Sequence, residues 1–206
     1  AGASFGADDL PRPPLGPDLF RALQEYDEAG WASMPDSLVR IFAVDFEQGM
    51  VALFKQFAYT PVPRLKSMAR YFVGFVPRSS SLYAKLGARI RVASWHGAIA
   101  SLNYERLLEL SLVATGLKVG LDLAPTEDPQ VELCYPHGCC HLFMRNTSAR
   151  ASAVQYPATG VTFGGREITR ITDPRQFAER LCADAIPPVM SYYAPGKQTT
   201  AGRGFI

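Results

Sequence analysis

Two loops of this 206-residue sequence carry side chains that are able to do chemistry on a bound ligand. Asn103 and Tyr104 stand where a short apolar run meets a leucine-rich helical pattern, and His137 precedes Gly138. The Asn103 carboxamide offers one acceptor and two donors, which suits it to orienting a hydroxyl or a water. The His137 imidazole can hold or accept a proton near neutral pH. Together they indicate acid–base work on a small polar ligand.

A third segment, at the start of the chain, is made of small residues: Ala1, Gly2, Ala3 and Ser4. A glycine- and proline-rich turn follows them. Small residues let backbone amides approach a phosphate closely. In an open α/β sheet, ligands bind beyond the carboxyl ends of the strands, and we expect all three loops to gather there.

Each of these features also has an ordinary structural explanation. An Asn at a strand-to-helix junction is typical of a cap or turn, and a His in a Pro-His-Gly turn is typical of a surface or hydrogen-bonded histidine. His141 follows two cysteines, which suggests a metal ligand. Because no second, well-spaced ligand set accompanies it, the pattern favours cysteines that behave as small buried hydrophobes.

The middle of the chain predicts strands that alternate with helices. Strands are expected within 97–104, 117–123 and 130–138, the first of them short and buried because it is almost wholly apolar. A helix follows the first strand and ends at Gly116. Towards the C-terminus we expect a β-hairpin over 160–171, a helix with Asp173 as N-cap, and a strand over 188–194.

Apolar spacing predicts four further helices in the first half of the sequence. They begin near Asp18, after Asp45, before Leu65 and after the serines that precede Leu82. The sequence therefore predicts an α/β fold with a mainly parallel sheet and a helical insert at about residues 31–92. The whole chain, residues 1–206, is expected to form a single domain.

Composition excludes several functional classes. The formal net charge is only +2, so no nucleic-acid footprint is indicated. No apolar run approaches the roughly 18–20 residues that span a bilayer, and no signal peptide is visible. The four cysteines form no CxxC pair, so no zinc ribbon is expected.

A reducing cytoplasm is the simplest compartment, and the ends of the chain suggest a segment of a longer polypeptide.

The order of the three loops resembles the sirtuin family, specifically its divergent branch of NAD-consuming domains. The matching segments are "AGAS" at residues 1–4 with the prolines that follow from Pro11, then "SLNYERLLE" around Asn103, then "HG" at His137. The resemblance covers the chain from residue 1 to about 197. It implies a Rossmann-like fold with helices on both faces of the sheet.

The resemblance also implies roles for individual residues. Asn103 and His137 would be catalytic, and the NAD-binding residues would be Ala1, Gly2, Ala3, Ser4, Pro11, Asn103 and Tyr104. The departures are mild at Ser101, where Thr is usual, and at Glu105, where Asp is usual. The paired cysteine modules of the deacylase zinc ribbon are absent, as are the leading glycine and the final strand of the family pattern.

The activity implied is hydrolysis of NAD to nicotinamide and ADP-ribose, with NAD as substrate and no zinc. The family suggests a bacterial antiviral defence role, with gating by a regulatory domain, a partner protein or homo-oligomerisation. Two alternatives stay open. One is an NAD-dependent protein deacylase, and the other is a non-catalytic module that binds NAD or ADP-ribose.

Overall fold

A computed structural model describes residues 12–14, 16–26, 28–56, 61–121, 126–144, 168–184 and 187–190. Within these ranges five helices come first, and short strands with two further helices follow, so the chain is a mixed α/β protein, as predicted. The helices are α1 (Gly16–Tyr26), α2 (Asp36–Val44), α3 (Phe46–Gln56), α4 (Pro61–Val73), α5 (Leu82–Val92), α6 (Leu107–Ala114) and α7 (Pro174–Ala183). The strands are β1 (Gly97–Ala100), β2 (Val119–Leu121), β3 (Val131–Cys134), β4 (Leu142–Met144) and β5 (Ile168–Arg170). None of these helices is both long enough and apolar enough to cross a membrane.

The first helices pack around an aromatic cluster. The ring of Phe20 stacks on Phe42 at a centroid distance of 4.6 Å, and the fully buried Trp31 meets Phe42 edge-on at 5.9 Å. Stacked and edge-on pairs of this kind add to the stabilisation that burial alone provides. The cluster joins α1 to α2 and fixes the start of the helical segment that the sequence predicts over 31–92.

Asp45 both ends α2 and begins α3. Its backbone is extended, and its N–H donates to the carbonyl of Ile41 at 2.9 Å. Its carboxylate accepts from the N–H groups of Glu47 and Gln48 at 2.8 and 3.1 Å, which caps α3. The predicted start of a helix after Asp45 is confirmed, but α2 was not predicted.

Three parallel strands form the main sheet, in the order β1-β3-β2. The central strand β3 places Val131 and Leu133 in the core. Strand β1 was expected to be buried, and this is wrong: three of its four residues are exposed. It pairs with β3 on one side in the described part of the chain, and its Gly and Ala side chains bring little apolar surface to bury.

A second sheet pairs β4 with β5 antiparallel, and Leu142 lies opposite Arg170. Strand β4 was not predicted. Of the hairpin predicted over 160–171, residues 160–167 lie outside the described part. The strand predicted over 188–194 is described to residue 190, where Met190 forms a single bridge with Gly138.

Two helix starts follow the predicted capping chemistry. Asp173 accepts from the N–H groups of Arg175 and Gln176 at 3.1 and 2.9 Å, with Pro174 as the first residue of α7. Ser81 accepts from the N–H of Ala84 at 3.1 Å and caps α5. Both side chains satisfy donors that a helix leaves unpaired at its N-terminus.

We expect Ser81→Ala to lower the free energy of unfolding by about 1 kcal/mol, because the first turn of α5 loses its side-chain acceptor. Ser81→Asp keeps an acceptor at the same position and should stay close to wild type. Urea unfolding followed by circular dichroism measures both. Equal midpoints for the Ala and Asp variants would show that the cap adds nothing to stability.

Candidate functional site

Adjacent parallel strands bring the two predicted loops together. Ala100, the last residue of β1, pairs with Cys134, the last residue of β3. The N–H of Ser101 continues the ladder by donating to the carbonyl of Cys134 at 2.9 Å. Asn103 and His137 each lie three residues beyond these paired strand ends. The loops that carry them therefore leave the same edge of the sheet side by side.

A single carbonyl group ties these two loops to each other. The Tyr104 carbonyl accepts from the backbone N–H of Cys140 at 2.8 Å and from the thiol of Cys139 at 3.1 Å. Between them, the His137 turn closes with a hydrogen bond from the N–H of Gly138 to the carbonyl of Tyr135 at 2.8 Å. The spacing of the two loops is therefore set by backbone bonds.

A cavity of about 620 Å³ lies beside the Asn103 loop. Its size is within the range of small-molecule sites, about 300–1,000 Å³. Its walls come from the start of α1, the α2–α3 junction, α4, α5 and the loop before α6. The lining residues are Arg12, Pro13, Pro14, Gly16, Leu19, Phe42, Val44, Asp45, Phe46, Glu47, Phe72, Tyr83, Leu102, Asn103, Tyr104, Glu105 and Leu107.

The Asn103 amide is held by two partners at the cavity wall. Its nitrogen donates to the hydroxyl of Tyr83 at 3.1 Å and to the carboxylate of Glu105 at 3.0 Å. Because an ionised carboxylate only accepts, the amide nitrogen rather than the oxygen faces Glu105. Both amide hydrogens are thereby used, and none of the described residues donates to the amide oxygen, which can therefore accept a hydrogen bond from a ligand.

Glu105 is a buried carboxyl group, with only 6% of its surface exposed. Besides Asn103, it accepts a hydrogen bond from the backbone N–H of Leu107, the first residue of α6. Burial raises the pKa of Glu105, and the two hydrogen bonds, from Leu107 and Asn103, oppose this rise without cancelling it. Glu105 therefore titrates above the ordinary range of a glutamate.

Carboxylates outnumber cations among the residues that line the cavity. Asp45, Glu47 and Glu105 contribute negative charge, and Arg12 is the one cationic residue in the described lining. Burial raises the pKa of Tyr104, and the nearby, hydrogen-bonded Glu47 raises it further. The Tyr104 phenol is therefore neutral at physiological pH, and the local charge of the cavity favours a positively charged ligand group.

The predicted site residues are brought together only in part. Asn103 and Tyr104 line the cavity, whereas His137 is not among the described lining residues. Residues 1–4 and Pro11 lie outside the described part of the chain, and Arg12, Pro13 and Pro14, which follow, do line the cavity.

Sequence reasoning missed two residues that contact Asn103. Glu105 follows it by two positions in the same motif, and this spacing was a usable signal. Tyr83 lies 20 residues earlier on α5 and carried no signal of its own.

Beneath this region lies a buried ionic network. His141 and Glu109 form a 2.8 Å contact between Nε2 and Oε2, and Arg170 lies 3.2 Å from the other carboxylate oxygen. Burial alone lowers the pKa of His141, but Cys139 and Glu109 beside the ring outweigh it and raise the pKa to about 9. Burial favours a higher pKa for Glu109, yet His141 and the two arginines Arg170 and Arg106 hold it below its usual range. The network joins α6 to β5 and to the loop that carries His137.

Comparison of the chain with known protein families, with curated proteins and with solved structures found no match. The resemblance to sirtuins therefore rests on the loop motifs, and the function inferred from it is a proposal.

We expect Gly138→Ala to destabilise the protein by about 2–5 kcal/mol. Gly138 has φ +74°, and an added Cβ would overlap the carbonyl oxygen of Val189. The left-handed backbone costs roughly 1–2 kcal/mol for a residue with a side chain, and the overlap roughly 1–3 more. Thermal and urea unfolding measure the change.

Gly116→Ala is the matched control, because Gly116 has φ +83° but an added methyl there meets only the side chain of Arg91. It should lose only the backbone part, about 1–2 kcal/mol. Equal losses at the two glycines would contradict a close approach of Val189 to the His137 turn.

Proposed function

We propose that this protein hydrolyses NAD at the bond between nicotinamide and ribose. The observation that carries the proposal is the placement of the Asn103 and His137 loops at paired ends of β1 and β3, with Asn103 on the wall of a carboxylate-lined cavity. The finer fold proposed with it is a Rossmann-like sheet with helices on both faces.

The charge of the cavity supports this reaction. The nicotinamide group of NAD is a cation, and its departure leaves an oxocarbenium-like ribose. Carboxylates close to the reacting carbon stabilise such positive charge, as they do in glycoside hydrolysis. Glu105 lies one hydrogen bond from Asn103 and is the carboxylate we assign to this task.

The proposed mechanism uses few protein groups. The amide oxygen of Asn103 accepts a hydrogen bond from a ribose hydroxyl or from the attacking water, which positions it. The bond between the nicotinamide nitrogen and the ribose carbon breaks, and its electron pair leaves with neutral nicotinamide. The water oxygen bonds to that carbon, and His137 takes the released proton as general base. The backbone of residues 1–4 is proposed to hold the pyrophosphate.

Two other functions make different predictions in the same assay. A protein deacylase would release nicotinamide only with an acylated peptide. A binding module would bind NAD or ADP-ribose and release no product under any condition.

We expect the protein to convert NAD alone into free nicotinamide and ADP-ribose. Asn103→Ala and His137→Ala should each lower the rate by roughly 10²–10⁴-fold, the usual contribution of positioned proton transfer. His96→Ala is the control, because this exposed histidine precedes β1 at the opposite end of the strand. Full activity in both the Asn103→Ala and His137→Ala variants would refute the catalytic roles assigned to these two residues, even if nicotinamide is released.

We also expect activity to fall on the acid side with a midpoint above the ordinary glutamate value of 4.5, because the pKa of Glu105 is raised and its ionised form is the active one. Glu105→Gln keeps the shape of the side chain and removes the charge. It should lower kcat and change the acid limb, of which only the part due to the general base His137 should remain, as measured from the pH dependence of kcat. An unchanged acid limb in Glu105→Gln would exclude Glu105 as the group responsible.

A further inference from the structure

Three consecutive buried residues, Cys139, Cys140 and His141, place their metal-binding atoms close together. The two sulfurs and one imidazole nitrogen all lie within 4.8 Å of one another, and each residue is fully buried. Two ligands of one zinc ion lie at most about 4.6 Å apart, since Zn–S is about 2.3 Å and Zn–N is shorter. Small side-chain shifts would therefore bring all three atoms onto one ion.

The His141 ring is held in the manner of a metal ligand. Its Nε2 contacts the carboxylate of Glu109 at 2.8 Å, and Glu109 is itself held by Arg170. Metal-binding histidines usually give their second nitrogen to a carboxylate or carbonyl, which fixes the ring and its tautomer. With Nε2 occupied in this way, Nδ1 is the nitrogen left to bind an ion.

Two polar atoms beside the thiols are buried without a hydrogen bond of ordinary geometry in the described part of the chain, although the Cys139 thiol lies within reach of the His141 ring. They are Nδ1 of His141 and the hydroxyl of Tyr135, whose ring meets the His141 ring edge-on at 6.2 Å. A buried polar atom without a partner costs about 1–3 kcal/mol, so native proteins rarely leave two side by side. A bound ion would take the place of the proton on Nδ1, which is released to solvent.

We propose that Cys139, Cys140 and His141 bind one thiophilic metal ion, either Zn²⁺ or Cu⁺. Two thiolates and an imidazole form a soft donor set, whereas Mg²⁺ and Ca²⁺ prefer oxygen ligands. An iron–sulfur cluster of the usual kind needs four cysteine ligands, and this group of three residues offers two. This site lies apart from the zinc ribbon that the sequence excludes, because adjacent residues on one turn supply the ligands.

The ion would be structural, and its effect would reach the candidate site through the backbone. The backbone N–H of Cys140 donates to the carbonyl of Tyr104, so an ion bound by Cys140 also holds the loop of Asn103 against the loop of His137. Cys139 gives up its thiol proton, and with it its own bond to that carbonyl, when it binds the ion. The proposal depends on these donor atoms and stands whether or not the protein hydrolyses NAD.

The test is a metal titration of the full chain, reduced and freed of metal beforehand. Co²⁺, as a spectroscopic substitute for Zn²⁺, should give thiolate-to-cobalt charge-transfer absorption that saturates at one equivalent and disappears when Zn²⁺ is added. A separate titration with Cu⁺ distinguishes the two ions. The binding ion should also raise the unfolding temperature, as any ligand of the native state does.

The four cysteines of the chain allow matched variants. The double variant Cys134→Ser and Cys182→Ser keeps only the two proposed thiols and should bind as wild type does. The double variant Cys139→Ser and Cys140→Ser should lose binding, with circular dichroism as the check that it folds.

If that second variant does not fold, the wild-type titration and the first variant still decide the question. No saturable binding of Co²⁺, Zn²⁺ or Cu⁺ by the folded wild type overturns the proposal. Binding that is lost with Cys134 and Cys182 replaced overturns it as well, because the ligands would then lie elsewhere.

Discussion

The pairing of Ala100 with Cys134 at the ends of two parallel strands is the constraint on which the candidate site depends. Parallel neighbours end at the same edge of a sheet, so the loops that follow them begin side by side. The hydrogen bond from Ser101 to the Cys134 carbonyl extends this pairing past the strands. The loops then part, one towards the cavity and the other towards the Val189 segment.

The helical half of the chain is part of the site as well as support for it. The Tyr83 hydroxyl on α5 is one of the two acceptors that orient the Asn103 amide, and Asp45 and Glu47 at the α2–α3 junction line the same cavity. A sheet edge alone would leave the Asn103 loop facing solvent. The aromatic packing of α1, α2 and α3 thus helps to shape the cavity, because it holds in place the wall that Phe42 and Phe46 line.

Features that depend only on residues close together in the sequence were predictable. Two helix starts are examples: Asp173 before Pro174 and Ser81 before α5 are residue types whose side chains accept hydrogen bonds from the first turn of a helix. Asn103 and His137 were predicted because polar residues interrupt an apolar pattern at a strand end, and of the two only Asn103 is among the described residues that line the cavity. Features set by distant partners were not predictable. Tyr83 gains its role only through a partner 20 residues away, and α2 was missed because Asp45 serves two helices at once.

Burial of β1 was misjudged for a related reason. An apolar run indicates a buried strand, but Gly97, Ala98 and Ala100 offer so little side-chain surface that exposure costs little. The three-residue strand β4 was too short for any periodicity to be read from it. The missed and misjudged elements thus have separate causes: β4 is too short to carry a pattern, β1 has little side-chain surface to bury, and α2 ends at the residue that also begins α3.

The two hydrogen bonds donated by the Asn103 amide give this part of the cavity wall a one-way polarity. Because both of its hydrogens are donated to Glu105 and Tyr83, the carboxamide can offer a ligand only the lone pairs of its oxygen. A hydrogen-bond donor, such as an alcohol or a water, can bind to the amide oxygen. An ether or ketone oxygen has no hydrogen to donate and would be repelled by the negative end of the amide dipole. Selectivity of this kind would come from the ground state alone, because Tyr83 and Glu105 already accept the two amide hydrogens.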